Sequence, residues 1–182
     1  KEDNYSTKEN YSEKVYLKGL YNTFLIGATK VSDIDFESLG VLQFKLGIEG
    51  ETGLGYDFGK RYRLELNYAV NGSDIQNTST SAGKVDLLTS TWGLNGLIDI
   101  PNETLMTPFL GLGIGSSKVK IAGANDTLTT YNFTLGSSFK LSEKIDLLGK
   151  YNLRYYPYVT LDDWGCIGCY SNSFLAGIKW KF

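Results

Sequence analysis

The chain has 182 residues, with 18 Lys plus Arg against 20 Asp plus Glu and a formal charge of -2. That length fits one domain, and scattered, balanced charge excludes a basic nucleic-acid face. No run approaches the roughly 18 apolar residues of a membrane-spanning helix, which excludes a helical membrane protein but not a barrel, whose apolar residues occupy only alternate positions.

Residues 1–13 are polar and aperiodic and read as an N-terminal tail; residues 14–182 read as one barrel. The start, Lys1-Glu2-Asp3-Asn4, carries no apolar leader, as expected of a processed form or of a chain that is never exported. A first strand spans about Lys14 to Ile26, with Val15, Leu17, Gly19 and Tyr21 on one face and Tyr16, Lys18, Leu20 and Asn22 on the other. Gly27 to Leu39 reads as a loop. The second strand is the clearest: Leu42, Phe44, Leu46, Ile48, Leu54, Tyr56 and Phe58 fall on alternate positions. That alternation exceeds the about 9–11 residues that cross a bilayer, so part of it is expected outside the membrane.

Asp57 to Lys60 signals a tight turn. The third strand alternates Tyr62, Leu64, Leu66, Tyr68 and Val70 with polar partners, and Asn71 to Lys84 reads as a polar loop. The fourth strand, about Val85 to Ile100, places Leu88, Trp92, Leu94, Ile98 and Ile100 on one face. The fifth sets Leu110, Leu112 and Ile114 opposite Gly111, Gly113 and Gly115, a row that leaves room for bulky side chains from other strands. Lys120 to Thr129 reads as the third long loop. The sixth strand carries Tyr131, Phe133, Leu135 and Phe139, and the seventh Ile145, Leu147, Tyr151, Leu153 and Tyr155. Pro157 to Asn172 reads as the fourth long loop, and Phe174, Ala176, Ile178, Trp180 and Phe182 form the apolar face of a closing strand.

Eight antiparallel strands joined by alternating long and short connections predict an up-and-down transmembrane β-barrel with its tight turns at one end. The second face of the strands collects Lys18, Lys45, Glu49, Glu51, Arg63, Glu65, Asp99, Asp146, Lys150, Arg154, Lys179 and Lys181. A soluble ligand-binding barrel would need these residues outside and the apolar ones inside. An eight-stranded barrel is filled by its own side chains, so the inward charges are expected to form a structural ion-pair network. The members are Lys45, Glu49, Glu51, Arg63, Glu65, Asp146, Lys150, Arg154, Lys179 and Lys181.

Cys166 and Cys169 are the two cysteines. A C-x-x-C segment serves as a redox pair, half a zinc site or a disulfide. The chain has no His, and no further ligands complete a metal site, so a disulfide pinning the loop is expected. Tyr158, Trp164 and Tyr170 in the same loop are candidates either for a partner contact or for an interfacial aromatic girdle.

The chain resembles the opacity-protein and OmpA-type eight-stranded bacterial outer-membrane barrels over about Lys14 to Phe182. The matching stretches are Gly53–Phe58 (GLGYDF) leading into Arg63–Tyr68 (RLELNY), Pro108–Gly115 (PFLGLGIG), Leu141–Lys144 (LSEK) and the terminal Trp180 and Phe182. The resemblance implies residence in the outer membrane and insertion by the outer-membrane assembly machinery, which reads the last strand through Trp180 and Phe182. Outer-membrane barrels that are enzymes use a His, which this chain lacks. The expected function is therefore a non-enzymatic surface protein whose extracellular loops serve as adhesin or surface antigen, or an envelope-structural protein. It is expected to be monomeric, without cofactor or metal, surrounded by outer-membrane lipid, with a host or matrix surface as the candidate loop ligand. The alternatives are a narrow channel for ions or small solutes and a soluble small-ligand-binding barrel.

Overall fold

Side chains alternate between an outward and an inward face along eight long strands, and the last of these strands pairs with the first. This computed structural model describes residues 19–32, 34–36, 40–42, 45–59, 61–74, 86–121, 124–161 and 164–182. The strands are β1 Gly19–Val31, β2 Ile34–Phe36, β3 Gly40–Leu42, β4 Gly47–Asp57, β5 Tyr62–Asp74, β6 Asp86–Asp99, β7 Met106–Ile121, β8 Ala124–Lys140, β9 Ile145–Leu161 and β10 Trp164–Lys181. Eight of them close an antiparallel barrel in the order β1-β10-β9-β8-β7-β6-β5-β4. The strands β2 and β3 form a separate two-stranded sheet in the first long connection. The seam between β1 and β10 pairs from Tyr21 with Lys181 to Val31 with Ser171. Every ladder edge of the barrel is thereby satisfied, as a membrane-spanning wall requires.

The outward rows are apolar and exposed, with Phe24, Ile48, Leu54, Leu66, Leu94, Leu112, Leu135 and Phe174 among them. The inward rows are mainly polar and buried, including Thr23, Glu49, Glu51, Asn67, Thr91, Asn95, Thr134 and Asn152. This is the inverse of a soluble ligand-binding barrel.

Three short connections, at residues 58–61, 100–105 and 141–144, share one end. In the first, Asp57 Oδ1 accepts from the Gly59 N–H at 2.8 Å, and Gly59 sits at φ 75°, where a Cβ would be strained. In the third, the Ser142 hydroxyl accepts from the Lys144 and Ile145 N–H groups at 3.3 and 3.0 Å.

The long connections differ from the sequence reading. The third and fourth long loops are mostly strand: β7 and β8 pair as far as Ile121 with Ala124, and β9 and β10 as far as Leu161 with Trp164. These segments carry Gly123, Gly165, Gly168, three Asp and Pro157, residue types that read as loop. Backbone ladders on both sides nevertheless hold such residues extended once a hairpin has started. Strands of 16–18 residues exceed the about 9–11 needed to cross. Their far ends therefore project beyond the bilayer as paired hairpins.

Two further expectations fail at the start of the chain. The first strand runs to Val31 rather than Ile26, because the small residues Gly27, Ala28 and Thr29 fit the seam with β10. Its facing is also inverted: Tyr21 is buried inside while Leu20 is exposed outside. The ring is accommodated because a Cβ on Gly55 would lie 2.1 Å from Tyr21 Cζ, so only glycine leaves it room. Lys18, assigned to the interior, lies outside the described residues, as do residues 1–17.

Candidate functional site: the barrel interior and the projecting hairpins

The interior holds two ionic clusters with an apolar layer between them on β6, β9 and β10; on β5, Arg63 of one and Glu65 of the other are successive inward residues, and Tyr21 lies beside both. At the short-turn end, Asp146 at the start of β9 meets both inward lysines of β10. Lys179 Nζ lies 2.8 Å from Oδ2 and Lys181 Nζ 2.7 Å from Oδ1. Beside them, Arg63 on β5 donates to Asp99 Oδ1 on β6 from Nη2 at 2.6 Å and from Nε at 3.1 Å. Its guanidinium also lies over the Phe109 ring, 4.7 Å from the centroid, a favourable cation–π contact in a dry setting.

Next along the same strands come Leu25, Leu97, Phe109, Leu148 and Leu175, all buried and in mutual contact. On β9, Leu148 falls between Asp146 and Lys150; on β6, Leu97 falls between Asn95 and Asp99. The interior glycines make this layer tight: a Cβ on Gly136 would meet Phe109 Cζ at 2.4 Å, and one on Gly111 would meet Leu97 Cδ2 at 2.3 Å. The gap that Leu25, Leu97, Phe109 and Leu148 line with Thr23, Arg63, Glu65 and Lys150 has no room for a water molecule.

Beyond the layer lies the larger cluster. Lys150 Nζ sits 2.5 Å from Glu51 Oε1 and 3.3 Å from Glu65 Oε1. Arg154 donates from Nη1 to Glu49 Oε2 at 2.8 Å and from Nη2 to Glu51 Oε2 at 3.1 Å. Arg154 Nη2 is also 2.8 Å from Glu49 Oε1, although off the hydrogen-bonding direction. Neutral groups complete the shell. Asn152 donates to Glu51 at 3.0 Å, Ser173 to Glu49 at 2.7 Å and the Tyr21 hydroxyl to Glu65 at 3.2 Å. An amide chain then crosses the barrel, from Asn132 to Asn95 at 2.8 Å and from Asn95 to Asn67 at 2.9 Å.

Buried ions need partners, since an uncompensated charge in a low-dielectric interior is heavily penalised. Here Glu49, Glu51, Glu65, Asp99 and Asp146 are matched by Arg63, Lys150, Arg154, Lys179 and Lys181. Such an arrangement ties β4, β5, β6, β9 and β10 together across the lumen. Each of these carboxylates is engaged by a cation, which leaves it poorly placed to act as a general base.

Of the residues singled out from sequence, Lys45 is not among these. It is exposed, two positions before β4 begins at Gly47, and its N–H donates to Asp74 O at 2.9 Å. The period-2 count carried it past the rim of the wall. Asp99, the five apolar residues of the central layer and Tyr21 were missed as site residues. The signal for the layer was present, since Leu148 and Leu175 interrupt otherwise polar rows.

The cysteine segment is on β10 rather than in a loop tip. Cys169 is buried against Tyr156, with Leu128 beside them, and is disulfide-bonded. Cys166 pairs with Val159 in the ladder, and its side chain lies outside the described residues. Tyr170 is exposed on the outward face. Trp164 and Tyr158 stand near the end of the β9–β10 hairpin, with side chains outside the described residues. At the other end of β10, Trp180 and Phe182 point outward, and the Phe182 N–H donates to Leu20 O at 3.2 Å.

The chain is similar to several solved structures. Neisserial surface protein A is 18% identical, with 90% of this chain and 97% of that one covered at a TM-score of 0.70. OprG of Pseudomonas aeruginosa is 14% identical, with 92% and 98% covered at 0.58. The outer-membrane protein AlkL is 13% identical, with 100% and 97% covered at 0.52. At these identities the likeness concerns the fold. No curated protein matches the chain by sequence. The family described as outer membrane protein beta-barrel domain matches residues 8–182, and the chain belongs to it, an eight-stranded OmpA/opacity-type barrel of the bacterial outer membrane.

Proposed function

We propose that this barrel is a non-enzymatic surface protein that works as a monomer through its projecting hairpins, contacting a host or matrix surface. The observation that carries this reading is the combination of a filled lumen with strands far longer than the membrane requires. The gap where Leu25, Leu97, Phe109 and Leu148 meet Arg63, Glu65 and Lys150 leaves no room for water, while β9 and β10 continue as a ladder to Leu161 and Trp164. A rigid ladder presents its end residues at low entropic penalty, which favours recognition. Tyr158 and Trp164 stand there, and aromatic side chains dominate binding hot spots. The disulfide at Cys169, for which we take Cys166 as partner, stiffens the same hairpin. The paired interior carboxylates and the lack of His support the non-enzymatic part. Outward Trp180 and Phe182 on the closing strand are assigned to recognition by the outer-membrane assembly machinery.

The test presents full-chain protein in nanodiscs to cultured epithelial cells and to an immobilised extracellular-matrix extract. Saturable binding is expected for the wild type. The double variant Tyr158→Ala, Trp164→Ala should weaken it about thirty-fold, since two hot-spot aromatics contribute about 2 kcal/mol or more. Absence of saturable binding by the wild type, or unchanged binding by the variant, would overturn the reading.

A further inference from the structure

The outward row of β7 changes character along its length. Leu110, Leu112 and Ile114 are apolar and exposed; Ser116, Lys118 and Lys120 follow on the same face, also exposed. The change coincides with an aromatic belt. Trp92 on β6 lies opposite Ser116, its ring 4.6 Å from that of Tyr68, and Tyr131 on β8 lies opposite Ile114. Exposed amphipathic rings of this kind sit at the headgroup level of a bilayer. Lys118 lies two residues past Ser116, about 7 Å further along the strand, on the long-hairpin side.

The residues directly opposite the two lysines are neutral, while Asp86 stands two residues from Leu88 in the same row of β6. Lys118 faces Ser90 and Thr127, and Lys120 faces Leu88 and Asn125. Asp126, next to Thr127, belongs to the inward row opposite Val119. Neither lysine makes an ion pair among the described residues. Two free ammonium groups one pleat apart, just above the belt, form a concentrated positive site on a wall that lipid surrounds. Long lysine stems lie along apolar surface while the charge reaches the polar layer.

We propose that Lys118 and Lys120 hold the phosphate of an outer-leaflet lipid headgroup, with Trp92 and Tyr131 flanking its acyl chains. The site selects a phosphorylated amphiphile over a neutral one and fixes the depth of the barrel on its β6–β8 side.

Nanodiscs of a zwitterionic phospholipid test this, doped with a bis-phosphorylated glycolipid or with the same glycolipid after removal of its phosphates. Retention on the full-chain protein is read by native mass spectrometry. The wild type should retain the phosphorylated form preferentially. Lys118→Gln with Lys120→Gln should weaken retention about thirty-fold, as two membrane-surface lysines allow. Lys118→Arg with Lys120→Arg should preserve it, as should the charge-matched Lys140→Gln with Lys144→Gln at the short-turn end. Heat-dependent gel migration checks folding, which these exposed substitutions should leave intact. Wild-type retention by the Gln pair overturns the proposal, as does equal loss in the short-turn control or equal retention of the dephosphorylated lipid. Displacement of the lipid by an equal concentration of inorganic phosphate would also overturn it, identifying a free-anion site instead.

Discussion

Glu51→Ala is expected to destabilise the barrel by about 3–5 kcal/mol, the range for removing one partner of a buried ion pair. Glu51 is the hub of the larger cluster. Its two oxygens accept from Lys150, Arg154 and Asn152 at 2.5, 3.1 and 3.0 Å, and its side chain is fully buried. Alanine would leave Lys150 with the longer 3.3 Å contact to Glu65 and Arg154 with Glu49 alone. Lys181→Ala makes the contrast. Its side chain is 21% exposed, and Asp146 keeps Lys179 at 2.8 Å, so a loss below about 1 kcal/mol is expected. Urea unfolding in lipid vesicles, followed by Trp fluorescence, measures both. Equal losses would show that burial does not govern the network.

Gly177→Ala is expected to disrupt barrel closure, at about 3 kcal/mol or more, the upper end of overpacking penalties. Gly177 lies opposite Leu25 in the β1–β10 seam. A Cβ there would stand 1.9 Å from the Phe24 carbonyl oxygen and 2.7 Å from Leu25 Cα. These are backbone atoms, so no side-chain rotation relieves the overlap. Gly27 mirrors it across the seam, opposite Leu175, with a Cβ 1.8 Å from the Phe174 oxygen. The two glycines therefore let the strand ends meet while Leu25 and Leu175 fill the central layer. Gly149→Ala is the control: nothing lies within 4 Å of its Cβ position, and the methyl group would enter lipid. The fraction of heat-modifiable, folded protein after refolding into vesicles should fall sharply for Gly177→Ala and stay at wild-type level for Gly149→Ala.

The barrel was legible because lipid outside and a narrow interior impose opposite demands on alternate residues. Ile48, Leu54 and Tyr56 on β4 and Leu64 and Leu66 on β5 could be assigned to lipid from period alone. The rule fails where local chemistry compensates. Tyr21 is apolar enough to read as lipid-facing, but its hydroxyl reaches Glu65 and its ring lies over Gly55, a relation between distant strands that no single-strand pattern contains. Lys45 keeps the inward parity of Glu49 and Glu51, yet parity carries no information on where the wall ends. The hairpin extensions read as loops because Gly, Asp and Pro are turn residues in isolation. Their pairing with the neighbouring strand, as at Lys118 with Thr127, decides otherwise. Leu148 and Leu175 were visible on polar rows. That they meet Leu25, Leu97 and Phe109 in one layer depends on the shear of the closed barrel.

That layer carries the claim that activity resides outside the lumen. Single-channel recording of the purified wild-type barrel in planar bilayers tests it most directly. A layer with no room for water predicts a flat baseline under applied voltage. Reproducible conductance steps that change when Arg63 or Glu65 is neutralised would contradict it.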